Sequence, residues 1–410
     1  MDIISLIAAN RPISNAIGDL IYKYLYGWIA TWSDSWTVIG AFGVTVIMFT
    51  IFLKVLVFPL DIWQKEVMRK NAKKMEAMRP QLEKIQKQCG SNRELLMQKQ
   101  RALYKENKYS MFGSCLPMIV TLVVFFIVFG GYNASVSKHT AATYEALEVV
   151  YREVKEPTYK ENYDLKYAEI YPEIYAETME KSYDDEYKQS YARNIDKSED
   201  ERSATAEIEA TDAVRKAAET EASNIAGTYA EKIAVEAAEK AVVEEYDAHY
   251  KESFFWVKSI FSADTWAKAI PDAGTASKNI SGLNTAWYEV VMKPLMEKYN
   301  GGWNGYMILP VIVLLLNVAS MFLNKQQMQQ QPAVPGQTEE QAKAQKSQQK
   351  IMQFIMPAMM FVFALMYSAA FTLYMAVNMI FTTIINLVYN IITKKIDAAE
   401  KDRILSTTFK

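Results

Sequence analysis

The sequence predicts an all-α, polytopic membrane protein: five transmembrane helices around a hydrophilic groove, a cytoplasmic helical hairpin and an extracellular helical insert. Three observations predict it. The apolar residues of this 410-residue chain gather in five stretches, each near the ~20 residues that cross a bilayer. The loops between them alternate in charge. And Lys54 stands inside the first stretch, where an ionisable side chain costs roughly 3 kcal/mol to insert and is read first as functional.

Residues 1–36 precede the first span. Residues 1–10 lack the basic start of a secretory signal, and 13–31 read as an amphipathic helix at the interface. Its tyrosines and Trp28 suit the headgroup level, and Asp19 and Lys23 fall one turn apart. A plain ordered lead-in to the first span, residues 37–60, is the alternative. Residues 61–112 form a basic helical hairpin, in which 61–108 hold 13 Lys/Arg against 6 Asp/Glu. That surplus marks a cytoplasmic segment. Two glycine-free runs, 64–88 and 94–106, are joined by Cys89-Gly90-Ser91-Asn92, a reversal signal. Met68, Met75, Met78, Leu82 and Ile85 recur at helical spacing, and Leu95, Leu96, Met97, Leu103 and Tyr104 can answer them. Pro80 is expected to kink the first helix. The stripe is either the core of a self-contained antiparallel pair or an adaptable methionine surface.

The second span is 113–132, and an acidic, mainly helical extracellular insert follows over 133–304. Within it, 201–250 contain no proline and one glycine, Gly227, while Pro157 and Pro172 are expected to divide the tyrosine-rich first part. A helical hairpin or small bundle is the plain reading, and a partner-binding domain the sharper one. Aromatics beside charges suggest that 252–300 are interfacial. The third span is 305–323, a Gln-rich linker covers 324–350, and spans four and five are 351–369 and 371–392. The tail is 393–410. Basic loops inside and the acidic insert outside put the N-terminus outside and the C-terminus in the cytoplasm.

Several classes are excluded. Cys89 and Cys115 give no disulfide framework, and His139 and His249 are too isolated for zinc spacing. There is no nucleophile elbow and no phosphate-binding glycine loop, which points away from an enzyme and calls for no cofactor. Polar residues in the spans are few: Lys54, Thr121, Asn317, Ser320 and Ser368, then Thr372, Tyr374, Asn378, Thr382, Thr383 and Asn386. In lipid such groups must find partners and so face inward. The candidate groove residues are Lys54, Thr121, Asn317, Ser320, Tyr374 and Asn378. Two simpler readings stand beside this one. Lys54 is roughly 9 Å from the inner end of its span at 1.5 Å per residue, within partial reach of snorkelling. Asn317 and Asn378 also serve as helix–helix glue.

The order of parts resembles the YidC family of membrane protein insertases. The matching residues are Pro59-Leu60 after Lys54, Met75 with Arg79-Pro80, Leu103-Tyr104-Lys105, Gly113 to Pro117, Pro357, and the run Ala369 to Asn378. The resemblance covers all five spans and the hairpin. It departs from the family where Lys54 replaces the usual arginine, Thr121 and Val123 replace Gln and Pro, Ser110-Met111 replace Asn-Pro, Met375 replaces tryptophan, and a large insert follows span two. The implied function is movement of hydrophobic segments of nascent membrane proteins (clients) into the bilayer without nucleotide hydrolysis. Lys54 would attract acidic client tails, and Met68, Met75, Met78 and Pro80 would be candidate client contacts. The implied partners are nascent chains and lipid, with the Sec translocon and the ribosome as further candidates and no specific nucleic acid. An adhesion or structural protein acting through its outer domain, or a small transporter, are the rival classes.

Overall fold

A computed structural model describes residues 11–32, 39–89, 92–109, 112–323, 354–355 and 357–408, apart from the side chains of 11, 93, 112–119, 121, 122, 323, 400, 401 and 403–408. The 324–350 linker, residues 1–10, and Gly90, Ser91, Ser110 and Met111 lie outside the described residues. Among the described residues the regular structure is helical, with isolated bridges pairing Phe254 with Ile39 and Val257. The all-α expectation holds. The chain divides into two compact units: Met1–Thr140, Glu252–Pro271 and Tyr299–Lys410 form the first, and Ala141–Lys251 with Asp272–Lys298 form the second.

The first unit opens with α1 (Arg11–Asp19), a π-helical stretch Leu20–Tyr26 and α2 (Gly27–Ala30). Ile21 is buried, while Trp28 and Tyr24 are exposed. The next helix, α3 (Ala41–Cys89), is 49 residues long and runs through both Pro59 and Pro80. The helix is continuous through Pro80, the position of the expected kink. A helical proline forfeits one backbone hydrogen bond and crowds the preceding turn. Here Met75, Met78 and Leu82, flanking Pro80, bury themselves with Leu103 and hold the helix together. Helix α4 (Arg93–Glu106) starts at Asn92, whose side chain accepts from Leu95 N–H at 3.1 Å. Helix α5 (Phe112–Arg193) gives its residues up to 140 to this unit. Helices α9 (Ile308–Leu323), α10 (Pro357–Met366) and α11 (Ala369–Thr408) complete it.

Among the described residues two helices are long and apolar enough to cross a bilayer, Ala41–Cys89 and Ala369–Ala399, while Ile308–Phe322 and Pro357–Met366 are apolar but shorter. Their exposed faces are inverted relative to those of a water-soluble protein. On α3, Met48, Ile51, Phe52, Val55 and Leu56 are all exposed at helical spacing, as are Ile380, Ile384, Leu387, Val388, Ile391 and Ile392 on α11. Apolar stripes of this extent mark contact with lipid or with a partner. The opposite faces bury Phe42, Val46, Phe49, Tyr132, Val313 and Phe371 in one core.

The segment 252–264 caps three of these helices, whose first N–H groups have no intrahelical acceptor. Glu252 Oε2 accepts from Phe42 N–H at 3.0 Å at the start of α3. Asp264 Oδ2 accepts from Leu309 N–H at 2.7 Å at the start of α9. The carbonyls of Ser262 and Ile260 accept from Ala369 and Ala370 at 2.8 and 2.9 Å at the start of α11. Three helices therefore begin at one end of the unit. Phe254, Val257 and Ile260 of this segment are buried, while Phe255 and, just beyond the segment, Trp266 are exposed.

In the second unit α5 continues through Pro157 and Pro172 to Arg193, so neither proline divides it. It turns at 194–198 into α6 (Glu199–Glu245), which starts on a Ser198/Glu201 capping box. The pair is antiparallel, as the Lys155–Glu231 ion pair (2.6 Å) and the Arg202 guanidinium stacked 3.9 Å from the Tyr191 ring centroid show. Two short helices, α7 (Ala273–Ala276) and α8 (Thr285–Tyr299), complete the unit through residue 298, and Tyr288, Val291 and Leu295 of α8 are buried.

Candidate functional site

Lys54 sits in the second half of the apolar part of α3, six residues before Leu60, its side chain 13% exposed, with Nζ 3.5 Å from Asp61 Oδ2. Two helical turns separate the residues. The pair forms because α3 does not stop at Leu60 but carries Asp61 onward on the same face. Lys65, the next cation along that face, donates to Asn386 Oδ1 of α11 and lies 5.7 Å from the Tyr389 ring centroid. Burial pushes the Lys65 pKa down, the Asp61 carboxylate opposes this, and the Lys54 charge adds to it.

The polar row continues toward the end of α11. Glu66 accepts from the Tyr389 hydroxyl at 3.2 Å and from Arg69 at 3.0 Å. The Arg69 hydrogen bond is the main reason the Glu66 carboxyl titrates below its ordinary range. Arg69 and Lys73 both reach Asp397 Oδ1, at 3.0 and 2.7 Å. These part-exposed charges are paired between α3 and α11.

The other groove candidates fall into separate groups. Ser320 and Thr383 hydroxyls are 2.6 Å apart, joining α9 to α11. Asn317 Nδ2 donates to its own helix at Val313 O (3.0 Å) and contacts Met379 Sδ at 3.3 Å. Tyr374 is buried beside Tyr132 and Phe371, with ring centroids at 5.3 and 5.8 Å. Asn378 is half-buried and its carbonyl accepts from Thr382 at 2.7 Å. Among the described residues, no hydrogen bond or ion pair links Lys54 to Asn317, Ser320, Tyr374 or Asn378. The Thr121 side chain lies outside the described residues. In the hairpin, Met75 and Met78 are buried, whereas Met68 and Pro80 are exposed.

The residues that sequence reasoning missed are Asp61, Lys65, Glu66, Tyr389 and Asp397. The signal was present in the spacing. At 100° per residue, positions 54, 61 and 65 fall within about 40° of one another. Reading the stretch before Leu60 and the stretch after it as separate elements concealed it, because one helix carries both.

The sequence profile of the 60Kd inner membrane protein family matches residues 34–174 and 240–397. The chain is 36% identical over 92 residues to the membrane protein insertase YidC of Fusobacterium nucleatum, covering 22% of this chain and 43% of that one. It is 35% identical over 91 residues to the YidC of Caldanaerobacter subterraneus, covering 22% and 42%. With the YidC of Clostridium perfringens it shares 27% over 119 residues, covering 29% and 48%. The chain thus spans less than half the length of these curated relatives. No solved structure matches it.

Proposed function

Because the chain belongs to the 60Kd inner membrane protein family, we propose that it is a YidC-type membrane protein insertase of the bacterial cell membrane. It crosses the bilayer five times, with the N-terminus outside, and it receives an apolar client segment from the cytoplasm and releases it into lipid. The common starting end of α3, α9 and α11 supports this topology, since spans one, three and five of such a chain all start outside. The observation that carries the reading is Lys54, a cation within an apolar helix whose exposed face is apolar.

The mechanism follows from that charge. A carboxylate about 4 Å from the ammonium gains about 4 kcal/mol at an effective dielectric near 20. That is comparable with the roughly 3 kcal/mol cost of placing a charged side chain at mid-membrane. Lys54 therefore compensates an acidic residue on the client's short translocated tail. Transfer of the client's apolar residues into lipid, about 25 cal/mol per Å2 buried, supplies the drive without nucleotide. The partners this activity calls for are the nascent chain and the bilayer, with the Sec translocon and the ribosome as further candidates.

The test is insertion by the purified protein in liposomes. With an acidic-tailed client, Lys54→Arg should retain activity, while Lys54→Ala and Lys54→Gln should lose about tenfold or more, which is 1.4 kcal/mol or more of the attraction. Full activity in Lys54→Ala would remove the charge from the mechanism.

A further inference from the structure

The partner of Lys54 is itself informative. Asp61 lies two turns further along the same face of α3, and its carboxylate is only 21% exposed. Lys65 follows one turn later, and the Asp61 charge bears on it as well. The face thus reads cation, anion, cation, and Lys65 is held across to α11 by Asn386. Among the described residues Asp61 has its ion pair with Lys54 and no contact across to α11 of the kind that holds Lys65.

The Lys54–Asp61 contact is also long. At 3.5 Å it lies beyond the usual 2.7–3.2 Å of an N–H···O bond. The pairs further along α3, Arg69–Asp397 and Lys73–Asp397, close to 3.0 and 2.7 Å. A lysine stem stretched along its helix toward an acid two turns away makes a stretched contact, one that a better-placed carboxylate outcompetes.

We propose that Asp61 is the resident counter-ion of Lys54, occupying the ammonium until a client's carboxylate displaces it, so that Asp61 sets how selectively the protein favours acidic-tailed clients. This rests on the insertase reading above. The exchange replaces one carboxylate by another, so Lys54 is never left as an uncompensated charge within the apolar span. It also assigns the released Asp61 a place, because Lys65 remains beside it to take the negative charge. A neutral tail leaves the resident pair intact and draws no benefit from Lys54.

The test compares two versions of one client, with an acidic and a neutral tail, in liposomes containing the full-length protein. Asp61→Asn should raise the acidic-to-neutral insertion ratio about tenfold, equivalent to about 1.4 kcal/mol. Asp61→Glu should restore the wild-type ratio, which a merely structural role for the residue would not predict. In a Lys54→Gln background Asp61→Asn should have no effect on the ratio. Asp61→Ser provides a second neutral variant, and thermal unfolding of each protein identifies any that fails to fold. If Asp61→Asn and Asp61→Ser leave the ratio unchanged while Lys54→Gln lowers it, the counter-ion role is wrong and the insertase reading stands. A rise that persists without Lys54 also overturns it, since Asp61 would then act by general repulsion. Failure of the wild-type protein to insert either client overturns the functional reading itself.

Discussion

At the level of single residues, burial and pairing separate two kinds of charge in this protein. Lys54 was visible in the sequence because a lone cation in an apolar run has no local excuse. Asp61 was not, because an acid beside a basic stretch looks like ordinary surface charge until the helix is seen to continue past Pro59. Glu252 was invisible for a different reason: its partner, Phe42 N–H, is 210 residues away, and no local pattern announces a cap supplied from that distance. Its side chain is buried, Tyr26 also donates to it, and a Cβ on Gly40 would collide with its carboxylate. Burial raises its pKa above the ordinary 4.5, against the two hydrogen bonds that favour the anion. Over that interval the folded state holds a proton that the unfolded state has released, so the stability Glu252 contributes is full below pH 4.5 and is lost as pH rises through the raised value. Thermal unfolding in nanodiscs should show this decline above pH 4.5, and Glu252→Gln, which keeps an acceptor for Phe42, should flatten it. Glu252→Ala, which removes the cap, should cost about 1 kcal/mol. An unchanged pH profile in Glu252→Gln would locate the titration elsewhere.

At the level of elements, helices were legible and their length was not. Composition and propensity announced helix, but Pro157 and Pro172 suggested divisions where the helix in fact continues. The missed signal in the α5–α6 hairpin is a repeat of four. Ala206, Ala210, Val214, Ala218, Ala222, Ala226, Ala230, Ala234, Ala238 and Val242 are each at most 1% exposed. On α5, tyrosines 159 to 175 and 183 to 191 recur every four residues, with neighbouring ring centroids 5.4–6.3 Å apart. Four residues overshoot a helical turn by about 40°. A straight pair would lose such a stripe within a few repeats, whereas a repeat longer than 3.6 stays buried when the helices wind right-handedly. Small residues on α6 leave room for the tyrosines. Ala222→Leu should therefore overpack the pair, costing about 1–3 kcal/mol, whereas Ala217→Leu, at an exposed position, should be nearly neutral. Protease sensitivity of the hairpin in the full-length protein checks both, and equal sensitivity would rule out the buried-stripe account.

At the level of the whole molecule, the family was legible in a few short motifs in the right order, and the family profile bears this out over residues 34–174 and 240–397. The division of labour was harder to see, because α5 carries no sequence break where one compact unit gives way to the other. The profile leaves 175–239 unmatched, and this stretch lies wholly in the second unit. If insertion depends on Lys54 and the helices that surround it, the distal hairpin is dispensable for it. The hairpin can be cut without straining its base, because Tyr159 and Gly227 face each other across the pair and Lys155 is bonded to Glu231 just below. Removing 160–226 and joining the ends with a short Gly/Ser loop should keep client insertion within about twofold, below the 1.4 kcal/mol that a tenfold change would represent. An adhesive protein acting through this hairpin would instead lose all function on the same deletion. The liposome assay decides between them: insertion that collapses while the shortened protein still unfolds cooperatively would move the activity into the outer unit and away from Lys54.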